Sequence, residues 1–151
     1  MYILSARSLA KLDGVHPALV DVVQRAIEIT PRDFAIIHGV RTMEEQQKLV
    51  ASGASQTLDS RHLTGHAVDV AAYVNGKIDW TYHHYPMIAD AFKKASEELK
   101  VPIRWGGSWG LLEGPLNAVQ LSAAYIRQRE AQGKKPFLDL GHFELPKGWM
   151  E

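Results

Sequence analysis

The chain has 151 residues, about the length of one domain, and its 46% hydrophobic and 23% charged residues are typical of a folded globular protein rather than a disordered one. Basic and acidic residues are balanced at 17 each. Because sequence-independent nucleic-acid binding needs a basic excess, we expect no nucleic-acid partner. Cysteine is absent, which excludes thiol nucleophiles, disulfides and cysteine metal sites and leaves histidine and carboxylates as the natural metal ligands.

The sequence shows no pattern of a membrane span or an export signal. No stretch approaches the roughly 20 apolar residues that a span needs, so we expect no stable membrane insertion. The N-terminal residues Met1 to Arg7 have neither a positively charged start nor a long apolar segment. We therefore predict no signal peptide and a cytoplasmic location after synthesis.

The first half of the chain carries alternating helix and strand signals. Pro17 suits the first turn of a helix, and apolar residues at 3.6-residue spacing predict that this helix extends to about Ile29. Thr42 and Glu45 form a capping-box pattern, which predicts a second helix to about Ala51. The remaining patterns predict a strand over 34–40, a loop over 52–64 and a strand over 66–73.

The second half adds a hairpin, two helices and two further strands. Asn75-Gly76 is typical of a two-residue hairpin turn, which predicts a return strand over 77–80. The other predicted elements are helices over about 87–99 and 116–133 and strands over 103–105 and 139–145. We therefore predict an α+β fold with a small antiparallel sheet and flanking helices. We expect a single domain over 1–151, in which about 106–136 form a longer loop–helix insertion.

Two short stretches concentrate residues that bind metals. His62 precedes Gly65, whose freedom to turn tightly lets the imidazole and the carboxylate of Asp69 point at one spot. His142 lies in the last predicted strand. Two imidazoles and one carboxylate hold Zn²⁺ with a fourth position open for water, and Asp139 is a candidate general base near that water. From spacing alone, the alternative is ordinary loop polarity beside a strand-edge aspartate.

The same residues resemble the zinc peptidases of bacterial cell walls, a family with the hedgehog/D-Ala-D-Ala-peptidase fold. The family signature is Ser-x-His-x-x-Gly-x-Ala-x-Asp, followed by an acid three residues before a second histidine. It is matched by Ser60, His62, Gly65, Ala67 and Asp69 and by Asp139 and His142. Gly39-Val40-Arg41-Thr42 and the run from Arg104 to Trp109 are similar to two further family blocks. The run from Asn75 to Trp80 favours the phage endolysin branch, which cleaves L-alanyl-D-glutamate bonds.

The resemblance implies a role for each matching residue. The zinc ligands would be His62, Asp69 and His142, with Asp139 as the catalytic base and Arg41 on the scissile carbonyl oxygen. Ser60, Trp105 and Trp109 are assigned to substrate binding, the alternative for the tryptophans being ordinary core packing. Two nearby side chains are left out: His66 is expected to point away from Asp69, and Glu144 to face solvent.

The function that the resemblance implies is that of a zinc endopeptidase of peptidoglycan stem peptides, acting as a phage endolysin that causes host lysis. We expect a monomer stored in the host cytoplasm until a holin opens the way to the wall. Three alternatives stay open. They are a D-Ala-D-Ala carboxypeptidase or dipeptidase, a non-catalytic zinc-stabilised wall-binding module, and a non-haem iron oxygenase, although the predicted helices disfavour the oxygenase.

Overall fold

The structure, a computed structural model, describes residues 1–55 and 60–149, so residues 56–59 of the predicted 52–64 loop lie outside the described residues. The described part contains five α-helices and six β-strands. The helices are α1 (Ala6–Lys11), α2 (Pro17–Ile29), α3 (Met43–Ala51), α4 (His84–Leu99) and α5 (Ala118–Ala131). The strands are β1 (Phe34–His38), β2 (Ala67–Val74), β3 (Lys77–Asp79), β4 (Arg104–Trp105), β5 (Gly110–Leu111) and β6 (His142–Glu144).

Helices α3 and α5 begin where local side chains satisfy their free backbone N–H groups. The Thr42 hydroxyl accepts from the N–H of Glu45, whose carboxylate in turn accepts from the N–H of Thr42, so the predicted capping box is present. Asn117 and Gln120 form a second capping box at the start of α5. The apolar stripe of α2 is buried throughout, and it comprises Leu19, Val22, Val23, Ala26 and Ile27.

The sheet is antiparallel and has the order β1-β2-β6-β4-β5, with β3 also paired to β2. Asp69 is paired with His38 of β1 on one edge of β2 and with His142 of β6 on the other. Ala72 is likewise paired with β1 and with Asp79 of β3. Strands β6 and β3 therefore lie one after the other along the same edge of β2.

The two faces of the central strand have different surroundings. Val68, Val70 and Ala72 point into the hydrophobic core beneath α2 and α4. Phe143 joins this core, with its ring stacked on Phe92 at 3.8 Å between centroids. Asp69 is on the opposite face, because successive side chains of a strand alternate. The predicted α+β fold with a small antiparallel sheet and flanking helices is confirmed.

Several local predictions need correction. Helix α1, strand β5 and a 3₁₀ turn over Arg61–Thr64 were not predicted. Strand β1 ends at His38 rather than residue 40, after an irregularity in its register with β2. Strand β6 begins at His142, not at residue 139. In the described ranges, none of the helices combines the length and the apolar character needed to cross a bilayer.

Candidate metal centre

Three side chains from three elements converge on one point. Asp69 and His142 are directly paired across β2 and β6, and His62 comes from the 3₁₀ turn before β2. Asp69 Oδ1 lies 3.1 Å from His142 Nδ1 and 3.2 Å from His62 Nε2, and the two ring nitrogens are 3.3 Å apart. The structure thus brings together the three residues predicted as metal ligands, in one buried cluster.

The turn that carries His62 is held by its ends. The Ser60 hydroxyl accepts from the N–H of His62 at the start of the turn. Gly65 ends it at φ +76°, where a side chain would be strained and a Cβ would lie 2.4 Å from the carbonyl oxygen of Gly14. Glycine at this position therefore lets the chain reverse closely enough to point His62 at Asp69.

Each histidine of the cluster is oriented through its outer ring nitrogen. His62 Nδ1 lies 2.8 Å from the carbonyl oxygen of Gly39, and His142 Nε2 lies 2.7 Å from Oε1 of Glu144. A neutral imidazole that donates from its outer nitrogen keeps a lone pair on the inner one. The inner nitrogens and Asp69 Oδ1 would then be three acceptors facing one another, an arrangement that needs a cation or a proton at its centre.

The separations within the cluster also fit a metal ion. Tetrahedral ligation with bonds of about 2.0–2.1 Å places ligand atoms about 3.3 Å apart. The observed donor separations are 3.1, 3.2 and 3.3 Å. The donors, two imidazole nitrogens and one carboxylate oxygen, are of the kind that zinc takes in catalytic sites. The residues present therefore fit a zinc ion.

The second oxygen of Asp69 is held by cationic and polar groups. Arg41 donates to Asp69 Oδ2 at 2.7 Å and to Oε1 of Gln46 at 2.7 Å, while His38 Nδ1 lies 3.2 Å from Asp69 Oδ2. Burial alone would raise the pKa of Asp69, but hydrogen bonds from His142, His38 and His62 outweigh it and hold the pKa well below its usual range. Asp69 is therefore ionised at neutral pH.

Asp139 stands beside the cluster without joining it. Its Oδ2 lies 3.9 Å from His142 Nδ1, and its side chain is 42% exposed to the cleft. Burial of the carboxyl, with the charge of Asp69 as a second cause, raises the pKa of Asp139 above its ordinary value. A Cβ on Gly106 would lie 2.2 Å from the carbonyl oxygen of Asp139, so the glycine permits this close approach.

The cluster opens into a cleft with a cavity of about 590 Å³. Its walls come from the 38–41 segment, the 3₁₀ turn, Trp80, the β4–β5 region and α5 with the chain that follows it. The cationic side chains on these walls are Arg41, Arg61, Arg104, Arg129 and Lys147. An anionic peptide is therefore a suitable occupant on charge grounds.

The predicted substrate-binding residues differ in position. Ser60 and Trp109 line the cleft, and the guanidinium of Arg104 lies 4.9 Å from the centroid of the Trp109 ring. Trp105 is fully buried, and its indole N–H donates to the carbonyl oxygen of Leu140 at 2.8 Å. The prediction that Trp105 contacts substrate is therefore wrong, because this side chain belongs to the hydrophobic core.

Glu144 and His38 are site residues that the sequence analysis missed. Glu144 was expected to face solvent, but it is buried, bonded to His142 and 3.4 Å from Arg104. Alternation along β6 was a usable signal, because Glu144 must share a face with His142 two residues earlier. His38 was not among the predicted site residues, yet it contacts Asp69.

Comparison with known proteins agrees with the family resemblance found in the sequence. The family model described as phage L-alanyl-D-glutamate peptidase matches residues 1–145. The L-alanyl-D-glutamate peptidase of Escherichia phage T5 is 40% identical over 103 residues, which cover 66% of this chain and 75% of that protein. The peptidase of the same description from Listeria phage A118 is 37% identical over 85 residues, covering 55% of this chain and 29% of that longer protein.

A solved structure agrees with the sequence relatives. The crystal structure of the Serratia marcescens L-Ala D-Glu endopeptidase ChiX superimposes with a TM-score of 0.74 at 36% identity, covering 95% of this chain and 90% of that one. The fold and the sequence relatives thus define the class as peptidases. The chain belongs to the phage L-alanyl-D-glutamate peptidase family, and the resemblance predicted from its motifs is confirmed.

Proposed function

We propose that this protein is a zinc endopeptidase that hydrolyses the L-alanyl–D-glutamate bond of peptidoglycan stem peptides, as a phage endolysin does at host lysis. The observation that carries the proposal is the convergence of His62, Asp69 and His142. In each histidine, the ring nitrogen that faces away from the cluster is hydrogen-bonded to a fixed partner. Membership of the family supplies the substrate class. Zinc bound to these three residues would supply a Lewis acid for the scissile carbonyl and a water of lowered pKa as nucleophile.

Two residues around the cluster have separate roles in the proposed reaction. Asp139, at 3.9 Å from His142 Nδ1, is placed to accept a proton from the attacking water on its carboxylate and to return it to the leaving amine. Its raised pKa favours holding that proton between the two steps. Arg41 fixes the orientation of Asp69 and lines the cleft, where its charge would stabilise the developing oxyanion.

The substrate itself carries a charge that the cleft can recognise. A glutamate within a peptide uses its amino group and one carboxyl in the chain, which leaves its other carboxyl free. Where the chain continues through the side-chain carboxyl of D-glutamate, this free carboxylate is attached to the carbon that bears the scissile nitrogen. Arg104 of β4 is paired with Glu144 of β6 and lies 3.4 Å from its carboxylate, with the guanidinium 4.9 Å from the centroid of the Trp109 ring. We assign the free carboxylate of D-glutamate to this end of the cleft.

Mass spectrometry of digested peptidoglycan tests the proposed reaction. Zinc-loaded protein should create new ends between L-alanine and D-glutamate, and chelation should abolish them. Release of terminal D-alanine would instead assign the enzyme to the carboxypeptidase or dipeptidase branch. Absence of cleavage by folded, zinc-bound protein would favour the wall-binding module.

Asp139→Asn tests the catalytic base within the same assay. Cleavage should fall by at least about 100-fold, since general acid–base catalysis typically contributes 10²–10⁴-fold. Zinc content should remain that of the wild type. The matched control is Asp13→Asn, an exposed aspartate outside the cleft, which should keep full activity. Parallel loss of zinc from Asp139→Asn would make this residue a ligand and contradict its proposed role.

The setting of the reaction follows from the same proposal. We propose that the protein acts as a monomer, accumulates in the host cytoplasm and reaches the wall when a holin perforates the membrane. Co-expression with a holin should convert intact cells to lysed ones, and expression of the protein alone should not. Lysis or export without the holin would contradict this sequence of events.

A further inference from the structure

An exposed apolar patch adjoins the cleft at the β2–β3 hairpin. It consists of Tyr73, Ile78 and Trp80, which we call the hairpin patch, and all three side chains are exposed. Tyr73 is directly paired with Ile78, so the two share one face of the sheet. Tyr73 lies four residues after Asp69 on β2, and strand alternation puts both on the same face. The hairpin patch is thus on the face that carries the candidate metal centre.

Trp80 connects the hairpin patch to the cleft. It lines the cavity while remaining 64% exposed. Its ring lies parallel to that of Tyr85, with 5° between the planes and 6.1 Å between the centroids. Tyr85 is itself buried and fixed, because its hydroxyl accepts from the N–H of Ala72 and donates to the carbonyl oxygen of Asp79. Trp80 therefore rests on a rigid support, and no part of the proposed reaction uses it.

The register of the strands places Trp80 and Arg104 at opposite ends of the cleft. On one side of the Asp69–His142 pair, Glu144 is paired with both Ala67 and Arg104. On the other side, Ala72 is paired with Asp79, the residue before Trp80. One end of the cleft accordingly carries Arg104, and the other carries the exposed ring of Trp80. The ligands lie between the two ends.

The proposed substrate also has two chemically different sides. The D-glutamate side of the scissile bond carries a free carboxylate. On the other side, L-alanine is joined through a lactyl group to a sugar of the glycan strand. Alanine and lactyl together extend at most about 7 Å, two residue lengths, so the sugar must lie close to the reacting carbonyl. Pyranose rings expose C–H faces, which pack on the electron-rich faces of aromatic rings.

We propose that the hairpin patch, which includes Trp80, forms a saccharide subsite. This subsite binds the muramyl sugar that bears the stem peptide. This inference rests on the proposed peptidase function and adds a specificity determinant to it. An apolar surface that is left exposed beside a cleft is typical of a binding site. The sugar's C–H face, rather than the anionic peptide, matches the exposed aromatic ring of Trp80.

The test compares two substrates that differ only in the sugar. One is N-acetylmuramyl-L-Ala-D-Glu-L-Lys, and the other is the same peptide with an acetyl group in place of the muramyl group. We expect the wild type to have the higher kcat/KM for the muramyl substrate. Trp80→Ala should reduce the ratio of the two kcat/KM values about two- to twelvefold, the range expected for loss of an aromatic contact. Trp80→Phe, which keeps a flat ring, should retain most of the preference.

Controls separate this inference from the reaction itself. Tyr2→Ala removes an exposed aromatic side chain outside the cleft and should leave the ratio unchanged. The melting temperature of each variant reports whether it is folded. If the wild type hydrolyses neither substrate, the proposed function fails. If it hydrolyses both without preference, or if Trp80→Ala slows both equally, the saccharide subsite is refuted while the peptidase function stands.

Discussion

Replacing Glu144 by glutamine should weaken zinc binding while leaving the fold intact. Glu144 Oε1 lies 2.7 Å from His142 Nε2 in a buried position. Burial alone would raise the pKa of Glu144, but the hydrogen bond with His142 and its charge outweigh it and lower the pKa, so the carboxylate is ionised at neutral pH. Glu144→Gln keeps the side-chain shape and an acceptor oxygen, and it removes the charge.

The magnitude follows from the kind of hydrogen bond that is lost. A hydrogen bond to a charged group contributes about 1.5–3 kcal/mol, against about 0.5–1.5 kcal/mol for a neutral one. The difference of about 1–2 kcal/mol corresponds to a zinc Kd raised about 5- to 30-fold. Loss of the ion pair with Arg104, at 3.4 Å, acts in the same direction. Outer partners of metal-bound histidines typically have effects of 10–100-fold.

The assay is competition for zinc with a chromophoric chelator of known affinity, followed by the melting temperature of each variant. Glu130→Gln, an exposed position on α5, is the matched control and should bind zinc as the wild type does. A folded Glu144→Gln protein with wild-type zinc affinity would refute the reasoning. His142 would then not be a ligand that depends on Glu144 for its orientation.

Two further predictions concern packing and protonation near the same strands. Gly141→Ala would place a Cβ 2.2 Å from the carbonyl oxygen of Val70. An overpacking cost of about 1–3 kcal/mol should lower the melting temperature by roughly 3–10 °C. Gly110→Ala, whose Cβ would lie 3.9 Å from its nearest neighbour, should leave the melting temperature unchanged, and equal melting temperatures of the two variants would contradict the close approach at Gly141. In chelator-treated protein, burial lowers the pKa of His142, but hydrogen bonds with two carboxylates outweigh it and raise the pKa from 6.5 to about 9. The protonated His142 therefore stabilises the fold fully below about pH 6.5, and this stabilisation is lost as the pH rises through about 9. The melting temperature should fall between pH 6 and pH 10. A melting temperature that does not change over this range would contradict the raised pKa of His142.

The sequence predicted the elements whose signals are local and repeated. The apolar stripe of α2 and the capping box of α3 each use residues within one or two turns, and both are present in the structure. The 3₁₀ turn over Arg61–Thr64 was missed because four residues are too few to show a periodicity. Helix α1 was missed for a similar reason, since six residues are too few for a clear pattern.

The site was harder to predict because its contacts are between distant parts of the chain. His62 and His142 were recognised from a motif, whereas Gly39 contacts His62 only through the fold. Glu144 was assigned to solvent although strand alternation puts it on the same face as His142. Trp105 was assigned to substrate binding because the run from Arg104 to Trp109 resembles a family block. In the structure, the β4–β6 pairing turns this side chain into the core, with its N–H bonded to Leu140. Such a choice between two faces depends on register, which no local pattern specifies.

The chain between β5 and β6 leaves the sheet and returns to it at a closed backbone junction. The N–H of Gly106 donates to the carbonyl oxygen of His142, and the N–H of Asp139 donates to that of Gly106, both at 2.9 Å. Everything from residue 112 to 138, including α5, is therefore an excursion whose two ends are fixed to each other. Leu112 and Ala118 of this stretch are buried in the core, so the exposed turn over 131–135 is the part whose length can change with little effect on the junction, because the entropy cost of a loop grows slowly with its length. A change of length in that turn would alter the rim of the cleft near Arg129 and Phe137 while leaving Asp139 and His142 in place.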